Sequence, residues 1–264
     1  MLTRFEANLA EAPRVPFQLA VADWKAFRAE RGHKPNAVPL LTPPSGNAKL
    51  SKSQIATYGL SLSPADEAGL PGANLCPFAG DCKSGCLANT GRAAMHSSQY
   101  ARQTRTMFAW LYPGSFLALL RRELLDAADK HDGIAVRLNV FSDVQWERVP
   151  LIREYIDIDM GIRFYDYTKF SPSVRPSMLG YDLTRSASEK TDWGTLLAWL
   201  ESGERVAMVF RETPATYRGV RVVDGDLSDE RFLDPRPALV GLRAKGRART
   251  MTSEFVVVSH DNLT

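Results

Sequence analysis

The sequence predicts an α/β fold, namely an irregular or partial (β/α) barrel, TIM-barrel-like, with an N-terminal extension made of one helix and a proline-rich arm. Three observations carry this reading. Short β-rich runs recur along the chain, helical stretches separate several of them, and many of the runs end on a polar or charged residue. Strands alternating with helices imply a parallel sheet, and seven or eight of them imply a closed or partial barrel.

The elements follow in order. Residues 1–44 form the extension: an amphipathic stretch around "QLAVADWKAFRAER", then "GHKPNAVPLLTPPSGN", in which four prolines and two glycines break any regular element. Residues 45–264 form the barrel-like domain. Its strands are expected at "TYGLSLSP", "GIAVRLNVFSD", "IRFYDYTK", "GYDLTRSAS", "RVAMVFRE", "VRVVDGD", "ALVGLRAKG" and "EFVVVS". A long helical stretch, interrupted near Pro113, lies between the first two, and "VPLIREYI" and "TDWGTLLAWLESG" supply two more helices. From "RVAMVF" onwards the connections are too short for full crossover helices, so the last strands are expected to pair irregularly.

A chain of 264 residues with 44% hydrophobic residues buries enough surface to fold without a covalent or metal staple. Its cysteines are therefore expected to be functional. All three, Cys76, Cys82 and Cys86, fall within "CPFAGDCKSGC". An odd set of thiols on one loop does not suit a disulfide. The opening residues lack the apolar run of a signal peptide or membrane span, which points to a reducing cytoplasm, where clustered cysteines hold metal more often than they bridge. The formal charge of +3 is too small to announce nucleic-acid binding.

Three thiolates about 6 Å apart repel by roughly 3 kcal/mol per pair at an effective dielectric of about 20, so they gather around a cation or stay protonated. Zinc would take Cys76, Cys82, Cys86 and, as the nearest fourth ligand, His96, but the spacing departs from the paired knuckles that zinc uses. A [4Fe–4S] cluster accepts three cysteines from one loop and leaves one iron open. Three inert thiols remain the bland alternative. In a β/α barrel the chemistry gathers at the C-terminal strand ends. That rule marks Asp143, Lys169, Arg185 and Lys245 as contacts for a cofactor or a small anionic or zwitterionic ligand.

A barrel with a three-cysteine loop after its first strand resembles the radical S-adenosylmethionine enzymes. The resemblance implies a [4Fe–4S] cluster on Cys76, Cys82 and Cys86, with S-adenosylmethionine at the open iron. The loop here is C-x5-C-x3-C where that superfamily uses C-x3-C-x2-C, and "FSDVQWE" stands, without the usual glycines, where an acidic pattern grips the cofactor's amino group. In its phrases "GNAKLSKS", "LSLSPAD", "CPFAGDCKSGCL", "VRLNVFSDVQWE", "FYDYTK", "DGDLSDERFLDP" and "VGLRAKGRAR" the chain is similar to a family encoded by bacteriophages and related mobile elements. That similarity implies a phage-borne iron–sulfur protein of the host cytoplasm and specifies no reaction. The competing expectation is a nucleic-acid-binding replication or regulatory accessory with a structural zinc, its phosphate contacts drawn from "GNAKLSKS", "QYARQTR" and "AKGRART".

Overall fold

The computed structural model describes residues 2–34, 36, 38–44, 55–158 and 160–258. The "GNAKLSKS" phrase, the start of the expected barrel domain and His260 lie outside the described residues.

Helix α1 (Arg4–Ala10) opens with a capping box: the Thr3 hydroxyl accepts the Glu6 N–H at 3.2 Å, and the Glu6 carboxylate accepts the Thr3 N–H at 2.7 Å. Helix α2 (Phe17–Glu30) follows, and the arm ends in the short strand β1 (Leu41–Thr42). Strand β2 (Ala56–Leu60) leads through the cysteine loop to α3 (His96–Leu111) and α4 (Pro113–Ala128). Pro113 sits in the first turn of α4, where its missing N–H costs nothing, so the expected interruption is a junction between two helices.

Then come β3 (Ile134–Arg137), α5 (Pro150–Asp157), β4 (Ile162–Thr168), β5 (Tyr181–Ser186), α6 (Trp193–Glu201) and β6 (Arg205–Phe210). The last elements are β7 (Thr216–Tyr217), β8 (Val220–Asp224), β9 (Ala238–Arg243) and β10 (Val256–Val257).

These strands form one mostly parallel sheet in the order β1-β2-β3-β4-β5-β6-β9-β8-β7, with β10 beside the end of β6. From β2 to β6 each strand lies next to its predecessor in the chain. Strand β9 then enters between β6 and β8, so the order breaks where the connections shorten. The sheet is open among the described residues: β1 pairs antiparallel at one end and β7 at the other. The fold is thus mixed α/β with a largely parallel sheet.

The main core joins the N-terminal helices to the sheet. Phe5, Leu9, Trp24 and Phe27 are buried with Phe108, Phe116, Leu120, Trp146 and Phe164. Helix α1 also reaches the loop after β3, where the buried Glu6 carboxylate accepts the N–H of Gln145 at 2.7 Å. A second cluster packs α6 against β6, β8 and β9. Among the described residues no helix is long and apolar enough to cross a membrane.

Candidate metal centre

The cysteine loop is a chain of single turns. Ala79 N–H bonds the Cys76 carbonyl at 3.1 Å, Cys82 N–H bonds the Ala79 carbonyl at 3.0 Å, and Asn89 N–H bonds the Cys86 carbonyl at 3.0 Å. Gly80 supplies the left-handed residue, at φ +51°, that lets the first turn run into the next. The loop is held from three sides. The Asp81 N–H reaches the Glu189 carboxylate at 3.3 Å, the Ser253 hydroxyl bonds the Asp81 carboxylate, and Gly85 lies under the C-terminal segment, where an added Cβ would come within 2.9 Å of the Met251 sulfur.

The loop after β3 forms the opposite wall. Asn139 organises it: its side-chain oxygen accepts from Val144 N–H at 2.9 Å, Ser142 hydroxyl at 2.9 Å and Trp146 Nε1 at 3.1 Å. The Asn139 amide in turn donates to Asp166 at 3.0 Å and to the Val144 carbonyl at 2.9 Å. So fixed, the loop presents Asp143. One oxygen of its carboxylate accepts the Lys169 N–H at 2.8 Å and the other meets Arg175 at 3.1 Å. Arg175 is fully buried and also grips Glu147 through two bonds of 3.0 and 2.8 Å.

Between these walls lies a cavity of about 170 Å³ that all three cysteines line, together with Asp143, Lys169 and Arg137. That volume is about tenfold what a single water needs, so the space admits a group of several atoms. Burial pushes the Cys76 thiol up to about 12 and the Cys86 thiol up to about 11, and it raises Cys82 as well. The thiols raise one another, which places them within electrostatic reach. As thiolates they would need a cation to offset the desolvation.

Among the described residues no three of His, Cys, Asp and Glu converge tightly enough to chelate one metal ion. A single zinc, with sulfurs about 2.3 Å from the metal, demands that convergence. A cubane puts each cysteine on a different iron and does not require the three sulfurs to meet at one atom. His96 does not complete a zinc set. It starts α3, lies exposed in a separate cleft with Tyr100 and Gln103, and stacks on Tyr100 with centroids 6.0 Å apart.

A family model described as Gene product 88 matches residues 39–258. The chain belongs to the Gene product 88 family. This is a phage-type family, as the resemblance in the sequence phrases implies. No curated protein and no solved structure matches the chain.

The matched region of this Gene product 88 chain contains every expected site residue. The structure brings Asp143 and Lys169 to the cavity with the cysteines. Arg185 lies elsewhere: it is fully buried, bonds the Arg175 carbonyl at 2.7 Å and pairs with Glu204 at 3.0 Å, so its charge is spent inside the protein. Lys245 is also off the cavity and pairs with Asp226. The strand-end rule missed Arg137 because the expected strand ran on to Asp143 whereas β3 ends at Arg137, and it missed Tyr167 because that residue lies one position before the end of β4. The signal was available in the period of two: Ala135 and Arg137 share one face of β3, as Tyr165 and Tyr167 do of β4.

Proposed function

We propose that the protein is an iron–sulfur protein in which Cys76, Cys82 and Cys86 hold a [4Fe–4S] cluster and one iron is left open to the cavity. One observation carries the reading: three thiols from a single loop line one partly open cavity of about 170 Å³. The donor set fits the group, since each thiolate can take a separate iron. When bound, the cluster supplies an electron or a Lewis-acidic iron to whatever enters the cavity.

The chain's own residues act around it. Lys169 sits beside the thiols, lowering the cost of ionising Cys82, with its ammonium 4.9 Å from the centre of the Phe255 ring. Asp143, held by Arg175 and the Lys169 N–H, positions the turn that follows β3 against Cys76 rather than offering an uncommitted carboxylate. As a thiol, Cys76 donates to the Phe141 carbonyl at 3.5 Å, a bond given up when its sulfur is ionised to hold the cluster. On this reading the parallel strands β2 to β6 act as a partial barrel with the cluster at its mouth. A small anionic or zwitterionic ligand, of which S-adenosylmethionine is the example that the architectural resemblance supplies, occupies the open iron.

The test is metal analysis of protein purified without oxygen. The expected result is about four irons and four sulfides per chain, lost together in the triple Cys76→Ala, Cys82→Ala, Cys86→Ala protein. Iron retained by that triple variant would remove the loop as the ligand set, and zinc in the place of iron would replace the cluster with a structural site.

A further inference from the structure

The C-terminal end of α2 and the N-terminal half of α3 bring cations and aromatic rings together on a face that the cysteine cavity does not use. Arg31 closes α2, and its guanidinium carbon lies 4.9 Å from the centre of the Tyr100 ring on α3. His33 approaches the same ring at 4.8 Å, and His96, at the start of α3, stacks on it at 6.0 Å with the planes 11° apart. The Tyr100 hydroxyl donates to the Arg31 carbonyl, so the ring is fixed against the end of α2. Arg28, one turn before Arg31, has its guanidinium carbon 5.4 Å from the centre of the Trp24 ring, and Lys34 beyond it is exposed.

The hydrogen bonds of these two arginines go to neutral oxygens. Arg28 donates to the Lys34 carbonyl at 3.4 Å and the Asn36 side chain at 3.2 Å, and Arg31 donates to the Thr104 hydroxyl at 3.2 Å and the Gln103 side chain at 3.4 Å. A third guanidinium, Arg105 of α3, reaches the same place: burial, then the charges of Arg28, Arg31 and Arg105, hold the His33 imidazole below its ordinary range. The carboxylates here are Glu30, on the last turn of α2, and Glu123, which acts on Arg105 while its two oxygens accept the Leu40 and Leu41 N–H groups at 2.8 Å. Arg28, Arg31, Lys34 and Arg105 outnumber them. Cations at the end of α2 offset its dipole, but Arg105 belongs to another helix. The face continues into a cleft of about 370 Å³ lined among others by His96, Gln99, Tyr100 and Gln103. Its charged groups are committed: Glu67 is bonded by the Asn89 amide at 3.0 Å, and Arg102 gives its guanidinium to the Ala93 and Ala88 carbonyls. What the cleft offers is amides and rings.

We propose that Arg28, Arg31 and Lys34, with His96, Gln99 and Gln103, form a binding surface for single-stranded nucleic acid, in which the cations take backbone phosphates and the cleft beside His96 takes an unpaired base. The occupant follows from two chemistries standing side by side. Cations bind the phosphates of a chain, and rings and amides bind bases that are not paired. A lone phosphate would use only the first set, and a duplex would keep its bases from the second. Of the basic phrases in the sequence, "QYARQTR" supplies this face, whereas Lys245 of "AKGRART" is paired with Asp226. The surface contains no thiol and does not rest on the cluster.

Fluorescence anisotropy of labelled oligothymidylate and oligouridylate, titrated with the full chain over a range of salt at about pH 8, where a free imidazole is neutral, tests it. The two strands tell DNA from RNA, and oligothymidylate annealed to its complement is the duplex arm. The expected result is saturable binding of at least one single strand, tighter than that of the duplex, with a logarithmic salt slope of about −2, as three phosphate contacts on a single strand give. Arg31→Gln and Lys34→Gln are each expected to weaken binding and to flatten that slope by about 0.7. His96→Ala should weaken binding about tenfold and leave the slope unchanged, because a stacked neutral ring releases no counterion. Arg153→Gln, the same loss of charge on the exposed face of α5, is expected to bind as wild type does. Lys34 and His96 are exposed, so their variants report contact rather than folding. Absence of saturable binding at low salt overturns the surface, and so does a duplex bound as tightly as the single strand, wild-type affinity in Lys34→Gln and His96→Ala alike, or a loss in Arg153→Gln equal to that in Lys34→Gln. Iron measured on the same samples decides the cluster separately.

Discussion

The backbone N–H of Asp143 donates to the carbonyl of Leu75 at 2.7 Å, so the residue before the first cysteine is tied to the turn after β3. Two segments separated by almost seventy positions in the chain are thereby fixed as facing walls of one cavity. The side chain of Asp143 extends the tie to Lys169 and Arg175, and the first variants to make act there.

Asp143→Asn is expected to destabilise the fold by about 1–3 kcal/mol, because one end of the new amide must point an N–H at an existing donor. Glu147→Gln should cost more, about 3–5 kcal/mol, since it removes the doubly bonded partner of a fully buried arginine. Urea denaturation of both variants checks the order. Burial raises the Asp143 carboxyl against the pull of Arg175, and a neutral Asp143→Asn would mean that the group is already protonated in the folded protein.

Gly246 occupies a left-handed position at φ +54°, and a Cβ there would lie 2.1 Å from the Thr90 hydroxyl oxygen and 3.0 Å from the Thr90 Cβ. Gly246→Ala is therefore expected to cost more than the roughly 1–2 kcal/mol of the backbone conformation alone. Adding Thr90→Ala removes the two closest atoms and should recover part of the loss. A thermal-denaturation cycle over the two single variants and the double variant reads the coupling, and strict additivity would show that the two residues do not press on each other.

Asp166 is buried beneath the cavity, where burial pushes its carboxyl up to about 7 against the Tyr181 hydroxyl bond at 2.6 Å. Between the unfolded value near 3.9 and about 7, the folded chain keeps a proton that the unfolded chain has released. Stability from this group is thus complete below about pH 4 and is lost as pH rises towards 7, with a slope of up to about 1.4 kcal/mol per pH unit. Asp166→Asn should flatten that slope in urea melts taken across the window. A remainder is expected from Glu123, which burial also raises to about 7.

His96→Ala is expected to leave the metal content unchanged, since the imidazole is exposed and stacks on Tyr100 away from the cysteines. Elemental analysis of the variant beside wild type decides it. Loss of metal would bring back the four-ligand zinc reading.

Much of the parallel sheet was legible because runs such as "GIAVRLNV" and "IRFYDYT" combine β-branched and aromatic residues with a polar end. The insertion of β9 between β6 and β8 was not, since pairing order is decided by tertiary contacts that no local pattern records. Helix α1 escaped notice because its seven residues are too short to show a period, and its worth lies in the reach of Glu6 to Gln145. The cysteine set was plain from its spacing. Arg185 misled for a definable reason: a charged residue at a strand end can face either side of the sheet, and this one turns inward to Glu204.

The segment that lies over the cysteine loop, residues 251–257, sets the order in which the cavity can close. The Ser253 bond to Asp81 and the seat of Met251 against Gly85 bring late residues to a loop made about 170 positions earlier, and the contact of Lys169 with Phe255 and the pairing of β10 with β6 hold that late segment in place. As the chain folds, the cysteine loop stays uncovered on that side until residues 251–255 dock. Covering the loop is thus a contact of high sequence separation, whose loop-closure entropy cost falls late in folding.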